Sequence, residues 1–257
     1  MTVGLEGIMV IETASVLAGP LAGRLLADLG ADVIHIERPP AAAMAGNATQ
    51  QYRSRLQGVR GIQSGINYIE ENTNCNKRSM TLDLGREPGR KILYRMLESA
   101  DVFLSNFRPY EIRKFGMASD FLSGLNPRLV HANLTGYGKK GPDRDLPGYD
   151  FNTFWTRSGM MHFMLTPGMT PISTPNGLGD RVTAVVPAYG IMAALLIQER
   201  TGTWQAVDTS LLQAAIFVNA NDAWAARLLP DSPGRMWKGK RSPMPCSIPT
   251  RYLSRPQ

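Results

Sequence analysis

Cysteine and histidine are nearly missing from this chain: Cys75 and Cys246 are its two cysteines, and His35, His131 and His162 its three histidines. Two cysteines so far apart offer no disulfide framework, so a reducing compartment is expected. The histidines never stand at metal-ligand spacing, and no metal site is predicted. No G-x-S-x-G nucleophile elbow occurs, which removes the commonest serine-hydrolase reading. The uncharged apolar stretch from Val182 to Ile197 is a little short for a membrane span and contains Pro187. The first residues, Met1 to Glu6, lack the basic and apolar regions of a signal peptide, so the expected location is cytoplasmic.

What remains is an ordinary globular composition, 43% hydrophobic and 19% charged over 257 residues, enough to bury a substantial core. The formal charge of +7 is unevenly spread. Residues 230–257 carry Arg235, Lys238, Lys240, Arg241, Arg251 and Arg255 against Asp231, so most of the excess belongs to the tail. Six prolines between Pro230 and Pro256 preclude a regular helix or central strand there. Residues 1–229 are therefore expected to form the folded part and 230–257 an extended connector. Within it, Gly234 to Arg241 mimics a phosphate loop, but Arg241 replaces the Ser or Thr and no strand precedes it. Without interleaved aromatics the basic tail does not predict nucleic-acid binding.

Alternating elements define the first half. Ile8 to Thr13 reads as a strand, Leu21, Leu25, Leu26 and Leu29 as a helix stopped by Gly30, and Ala31 to Glu37 as a second strand. After an irregular stretch from Pro39 to about Asn76 the pattern recurs: strand Ser79 to Leu84, helix Glu87 to Ser99, strand Asp101 to Ser105, then strand Leu129 to Leu134. Such β-α-β units predict an α/β fold, an open parallel Rossmann-like sheet with flanking helices. Lys139 to Asp150 is polar and turn-rich, hence a loop. Helices are expected near Phe151 to Met161, near Val182 to Glu199 and from Leu211 to Leu229, with a short strand around Ala206 to Thr209.

Open parallel sheets bind ligands outside the carboxyl ends of their strands. Those positions hold Val16-Leu17-Ala18-Gly19, Arg38, Asn106-Phe107-Arg108 and Gly136-Tyr137-Gly138. Small residues, guanidinium groups and rings suit a phosphorylated nucleotide. NAD is the weaker candidate, because the first turn offers only Gly19 and Gly23 in place of G-x-G-x-x-G and Arg38 directly follows the acidic Glu37. Coenzyme A fits the cations better.

One carboxylate stands apart. Asp180 ends the run Pro175-Asn176-Gly177-Leu178-Gly179-Asp180, and no charge appears between Val182 and Ile197. It is either the N-cap of an apolar helix or a reactive group.

The motifs Leu17-Ala18-Gly19-Pro20, Ala27-Asp28-Leu29-Gly30-Ala31-Asp32-Val33-Ile34, Ile36-Glu37-Arg38-Pro39, Asn74-Cys75-Asn76-Lys77-Arg78-Ser79, Asn106-Phe107-Arg108-Pro109, Thr135-Gly136-Tyr137-Gly138, Gly179-Asp180 and Glu199-Arg200-Thr201-Gly202 follow one another in order. Together they resemble the class III coenzyme A transferases, the carnitine dehydratase and bile-acid-inducible group. The resemblance implies CoA transfer between an acyl-CoA and a carboxylic acid, with Asp180 as nucleophile and no permanently bound cofactor. It implies CoA contacts at Leu17, Ala18, Arg38, Asn76, Lys77, Asn106, Phe107, Arg108 and Tyr137. Lys114 stands where the family usually has arginine, so a charge is kept without the bidentate fork. Gly177 and Gly179 are expected to form the turn and supply amides to an oxyanion. A racemase branch of the same fold carries a Gly-His-Asp triplet, whereas this chain has Gly148-Tyr149-Asp150, so transfer is favoured. The loop Gly141 to Gly148 and the Gly177 to Asp180 segment look most like the aryl-lactate and 2-hydroxyacyl branch. Family members form interlocked dimers and are usually longer, so a homodimer and a C-terminally shortened chain are expected. An inactive CoA-binding fragment stays open as an alternative.

Overall fold

A computed structural model describes residues 4–39, 68–164, 170, 174 and 176–228. The expected connector, Cys246 and the phosphate-loop mimic lie outside these residues. By its contacts the chain divides into two compact units, Met1–Leu134 with Ala184–Asp208, and Thr135–Thr183 with Thr209–Gln257.

The first unit is built on the sheet. Strand β1 (Met9–Glu12) is followed by helix α1 (Ala18–Asp28), β2 (Asp32–Glu37), α2 (Tyr68–Asn74), β3 (Arg78–Thr81), α3 (Glu87–Leu97) and β4 (Val102–Ser105). Helices α4 (Pro109–Phe115) and α5 (Ser119–Leu125) lead to β5 (Val130–Thr135). The long helix α7 (Leu178–Thr201), from Ala184 on, and strand β6 (Gln205–Ser210), as far as Asp208, complete it. The strand order is β3-β2-β1-β4-β5-β6, the doubly wound Rossmann order, with its reversal between β1 and β4. Strand β1 pairs with β2 and β4, β2 with β3, and β4 with β5, all in parallel.

Alternation along the strands sends neighbours to opposite faces. Val10, Val33, Val102, Leu104, Val130 and Ala132 enter one core with Leu21, Ala22 and Leu26 of α1. Ile11, Ile36 and Phe103 enter the other with Leu93 and Leu97 of α3 and Phe115 and Leu122 of the α4–α5 pair. A parallel sheet covered on both faces explains why β4 and β5 read as continuous buried runs. Strand β3 is exposed throughout, as an edge strand can be, and carries Arg78 bonded to Asp32.

Helix α7 has 24 residues, beginning before and ending after the expected Val182 to Glu199. By length and composition it could cross a membrane. Here Ala184, Ala188, Ile191 and Ala194 pack into the first core, which explains its apolar character as that of a core helix. Two further expectations change. Part of the stretch from Pro39 to Asn76 forms α2, seven residues with Glu70 and Glu71 in its first turn, where carboxylates favour the helix dipole. The region Pro109 to Leu125, which periodicity left unassigned, holds α4 and α5. Pro109 at the first helical position and Gly116 at φ 67° bound α4 in the manner of a short capped helix.

The second unit contains a π-helix (Asp150–Arg157), α6 (Met160–Phe163), α8 (Leu211–Val218) and α9 (Ala220–Leu228). The helix expected over Leu211 to Leu229 is thus two, separated at Asn219. Ser210 caps α8, its hydroxyl accepting from the Gln213 amide at 3.1 Å.

Candidate active site

In the first unit, the loops at the β1/β4 reversal form a tight backbone structure. Asn106, just past β4, accepts from the Ser15 amide at 3.1 Å and donates to the Ser15 carbonyl at 2.8 Å. Val16 adopts φ 77°, a left-handed conformation that is strained for a β-branched residue. Gly19 is required because a Cβ there would lie 2.4 Å from the Ala14 Cβ. Leu17 and Ala18 are buried, and the Leu17 side chain belongs to the first core.

Several expected side-chain contacts are already committed. The ammonium of Lys77 is 2.8 Å from Glu12 Oε2, whose other oxygen meets His35 Nδ1 at 2.8 Å. Lys77 also donates to the Pro20 carbonyl at 2.6 Å and to Asn74 Oδ1 at 3.0 Å. With both side chains at or below 1% exposure, this is a buried ion pair, and Lys77 does not offer its charge to a phosphate. Burial lowers the Lys77 pKa and Glu12 opposes that shift. Gly23 makes room, since a Cβ there would lie 1.8 Å from Glu12 Oε2. Thus Gly19 and Gly23, which looked like remnants of a dinucleotide fingerprint, are packing glycines.

Asn76, at φ 62°, donates to Asp28 Oδ1 at 2.7 Å. Phe107 packs in the core against Phe115, with ring centroids 5.1 Å apart, and is not displayed for stacking on a base. Arg108 contacts Glu111 Oε2 at 3.2 Å and the Tyr110 hydroxyl at 2.6 Å. Arg38 and Lys114 are exposed cations, Lys114 standing 5.8 Å from the Phe115 ring centroid.

The second unit holds Asp180. After β5, Gly138 at φ 91° donates to Thr135 Oγ1 at 2.9 Å, making the turn that carries the half-buried Tyr137. Gly136 and Gly148 cross backbone to backbone: a Cβ on Gly136 would fall 2.6 Å from the Gly148 Cα. That crossing delivers Tyr149 and Asp150 to the π-helix. Asn152 accepts from the Tyr149 amide at 2.7 Å, and the Thr153 amide bonds the Tyr149 carbonyl at 2.9 Å. π-Helical turns recur at functional sites.

Asp180 is not the cap of α7. The Arg181 amide bonds the Gly177 carbonyl at 3.0 Å, which makes Gly177, at φ 70°, the N-cap and Asp180 the third helical residue. The cap is Asp150. Its Oδ1 accepts from the Asp180 amide at 2.9 Å, and the amides of Gly179 and Gly177 also stabilise its ionised form. A Cβ on Gly179 would lie 2.4 Å from both Asp150 Oδ1 and the Phe154 ring, so only glycine fits. The amides of Gly177 and Gly179, expected to face an oxyanion, are thus directed at Asp150. Sequence reasoning used the Gly148-Tyr149-Asp150 triplet only for the histidine it lacks; its aspartate was the signal for this residue.

Asp180 is 5% exposed. Burial, reinforced by the Asp150 carboxylate and opposed by Arg181, pushes its pKa up to about 7. Burial likewise raises the Asp150 pKa against those backbone donors. A dehydrated carboxylate of raised basicity is suited to nucleophilic attack or proton transfer. Among the described residues no group of three or more His, Cys, Asp or Glu side chains is placed to hold a metal.

Comparison with known proteins gives these features a family. The model of the CoA-transferase family III matches residues 5–250. The cinnamoyl-CoA:phenyllactate CoA-transferase of Clostridium sporogenes is 38% identical over 217 residues, 82% of this chain and 50% of its own length. The (R)-2-hydroxy-4-methylpentanoate CoA-transferase of Clostridioides difficile is 32% identical over 213 residues, 83% of this chain and 52% of its own. A solved CAIB/BAIF family protein from Brucella suis superposes with a TM-score of 0.76 at 30% identity, covering 92% of this chain and 60% of that one. This chain spans about half the length of the curated relatives it matches. The chain belongs to the CoA-transferase family III.

Proposed function

We propose that this chain carries the nucleophilic half of a CoA-transferase that moves coenzyme A from an acyl-CoA to a carboxylic acid. The observation that carries the reading is Asp180: a buried carboxylate of raised pKa at the start of a rigid helix, in a family of transferases. A carboxylate Oδ of Asp180 attacks the thioester carbonyl; a C–O bond forms, the C–S bond breaks, and CoA leaves as thiolate. The thiolate then attacks the Asp180 carbonyl of this mixed anhydride, releasing the donor acid and leaving an aspartyl-CoA thioester. The acceptor carboxylate repeats the two exchanges in reverse, which regenerates Asp180. One thioester replaces another, so no external energy source is needed.

Arg38 and Lys114, exposed in the sheet unit, are the cations we assign to CoA phosphates, with Leu17 and Ala18 contributing backbone and Arg108 its side chain. Tyr149 in place of the racemase histidine favours transfer over proton exchange. The named relatives support aryl- or 2-hydroxyacyl groups as the acyl class. We further propose a cytoplasmic homodimer; the exposed face of α7, with Val185, Tyr189 and Leu196, supports an assembled state.

The test is incubation of the purified protein with cinnamoyl-CoA or another acyl-CoA and a panel of acids, with mass detection of new CoA esters and of hydroxylamine-trapped adducts on Asp180. Asp180→Ala should abolish both signals, and full turnover in that variant would sink the reading. A second reading, CoA binding without turnover, is distinguished by the same assay. It would give CoA affinity and no new ester.

A further inference from the structure

We infer that Asp150 is a positioning residue for Asp180: it fixes the first turn of α7 and places a second negative charge beside the nucleophile, which keeps that carboxylate reactive. The inference rests on the nucleophile reading of Asp180.

Three features of the geometry carry it. Asp150 Oδ1 accepts from the Asp180 main-chain amide at 2.9 Å, across thirty residues of sequence, so it holds the backbone of the nucleophile itself. Gly179 admits no Cβ, because one would fall 2.4 Å from Asp150 Oδ1 and from Phe154; the carboxylate is pressed against the turn. Asp150 is itself buried, as are Thr153, Phe154 and Trp155 of the same π-helix, so little water screens the two carboxylates from each other.

Two acids side by side in a dry site resist joint ionisation. The backbone amides stabilise the anion on Asp150, and Asp180 therefore bears the cost of the second charge. Nucleophilicity follows basicity, so a carboxylate that ionises reluctantly attacks better once ionised. The charged groups that act on Asp180 are Asp150 from the π-helix and Arg181 from α7, with burial the larger influence. An ordinary helix cap would need no burial and no second acid. A serine or asparagine would serve, as Ser210 does for α8.

Asp150→Asn separates position from charge, since the amide oxygen can still accept from Asp180. In aspartate-labelled protein, carbon NMR should show the Asp180 titration midpoint falling from near 7 by about one unit in Asp150→Asn. The rate of hydroxylamine-trapped adduct formation should then cross that of the wild type: about twofold faster near pH 5.5, and about threefold slower at pH 9, for a Brønsted coefficient of about 0.5. Asp150→Ala, lacking position as well, should be slower at every pH. An unmoved midpoint in a folded Asp150→Asn, or a uniform rate loss with no crossing, overturns the inference. Absence of any adduct in the wild type across donors would instead overturn the nucleophile reading, and the NMR midpoint would still decide the coupling.

Discussion

Asp180→Asn is expected to stabilise the fold, and by an amount that depends on pH. In the unfolded chain this carboxylate titrates at its ordinary value of 3.8; folded, it is raised to about 7. Between those values the native state holds a proton that the unfolded state has released, so stability falls as pH rises. The contribution is fully present below pH 3.8 and lost as pH passes through 7. At about 1.4 kcal/mol per pH unit, the loss amounts to roughly 4 kcal/mol by pH 8. Asparagine keeps the size of the side chain and cannot ionise, so it escapes the loss. Denaturant melts of both proteins at half-unit steps from pH 4 to 9 measure this directly. The stability difference should be smallest at pH 4, widen in favour of Asp180→Asn up to about pH 7, and level off above it. By denaturation temperature the gain at pH 8 corresponds to roughly 8–16 °C for a chain of this size. A difference constant to within about 0.5 kcal/mol over the whole range would refute the burial and charge argument for Asp180.

Other substitutions probe the supports of the two units. Gly179→Ala forces a methyl group against Asp150 and Phe154 and should cost about 1–3 kcal/mol in a thermal or denaturant melt; a change below 0.5 kcal/mol would show that the turn has slack. Glu12→Ala leaves the Lys77 ammonium buried without its counter-ion and should cost about 3–5 kcal/mol, while adding Lys77→Met should recover much of it. If the single variant loses less than 1 kcal/mol, the pair is not acting as a buried one.

Periodicity made the sheet legible. β1, β4 and β5 are buried on both faces and bounded by turns, and their neighbours in sequence are helices with a clear apolar side, so the Rossmann order follows from short-range signals. What sequence could not convey is contact across distance. Nothing near Asp180 indicates that Asp150 takes the capping role, and nothing near Lys77 indicates the strand carboxylate it neutralises, 65 residues earlier at Glu12. Asn106 to Arg108 was readable as a strand-end motif, and Asn76 and Lys77 entered only through the family resemblance, but Phe107 turns into the core and Asn106 turns back on Ser15. The π-helix has neither the 3.6 nor the 2.0 period, and it falls beside an expected helix because its burial pattern partly imitates one.

The crossing of Gly136 and Gly148 bears on how such a protein can diverge. Where a new side chain meets another side chain, a second substitution can relieve the clash, and a lineage can move through the pair. Here a Cβ on Gly148 would stand 2.3 Å from the Gly136 Cα, and one on Gly136 would stand 2.6 Å from the Gly148 Cα. In both cases the nearest obstacle is main chain, which no mutation can trim. Neither glycine has a compensating partner, so the approach to Asp150 is closed to gradual remodelling. New acyl preferences must arise from the residues around it.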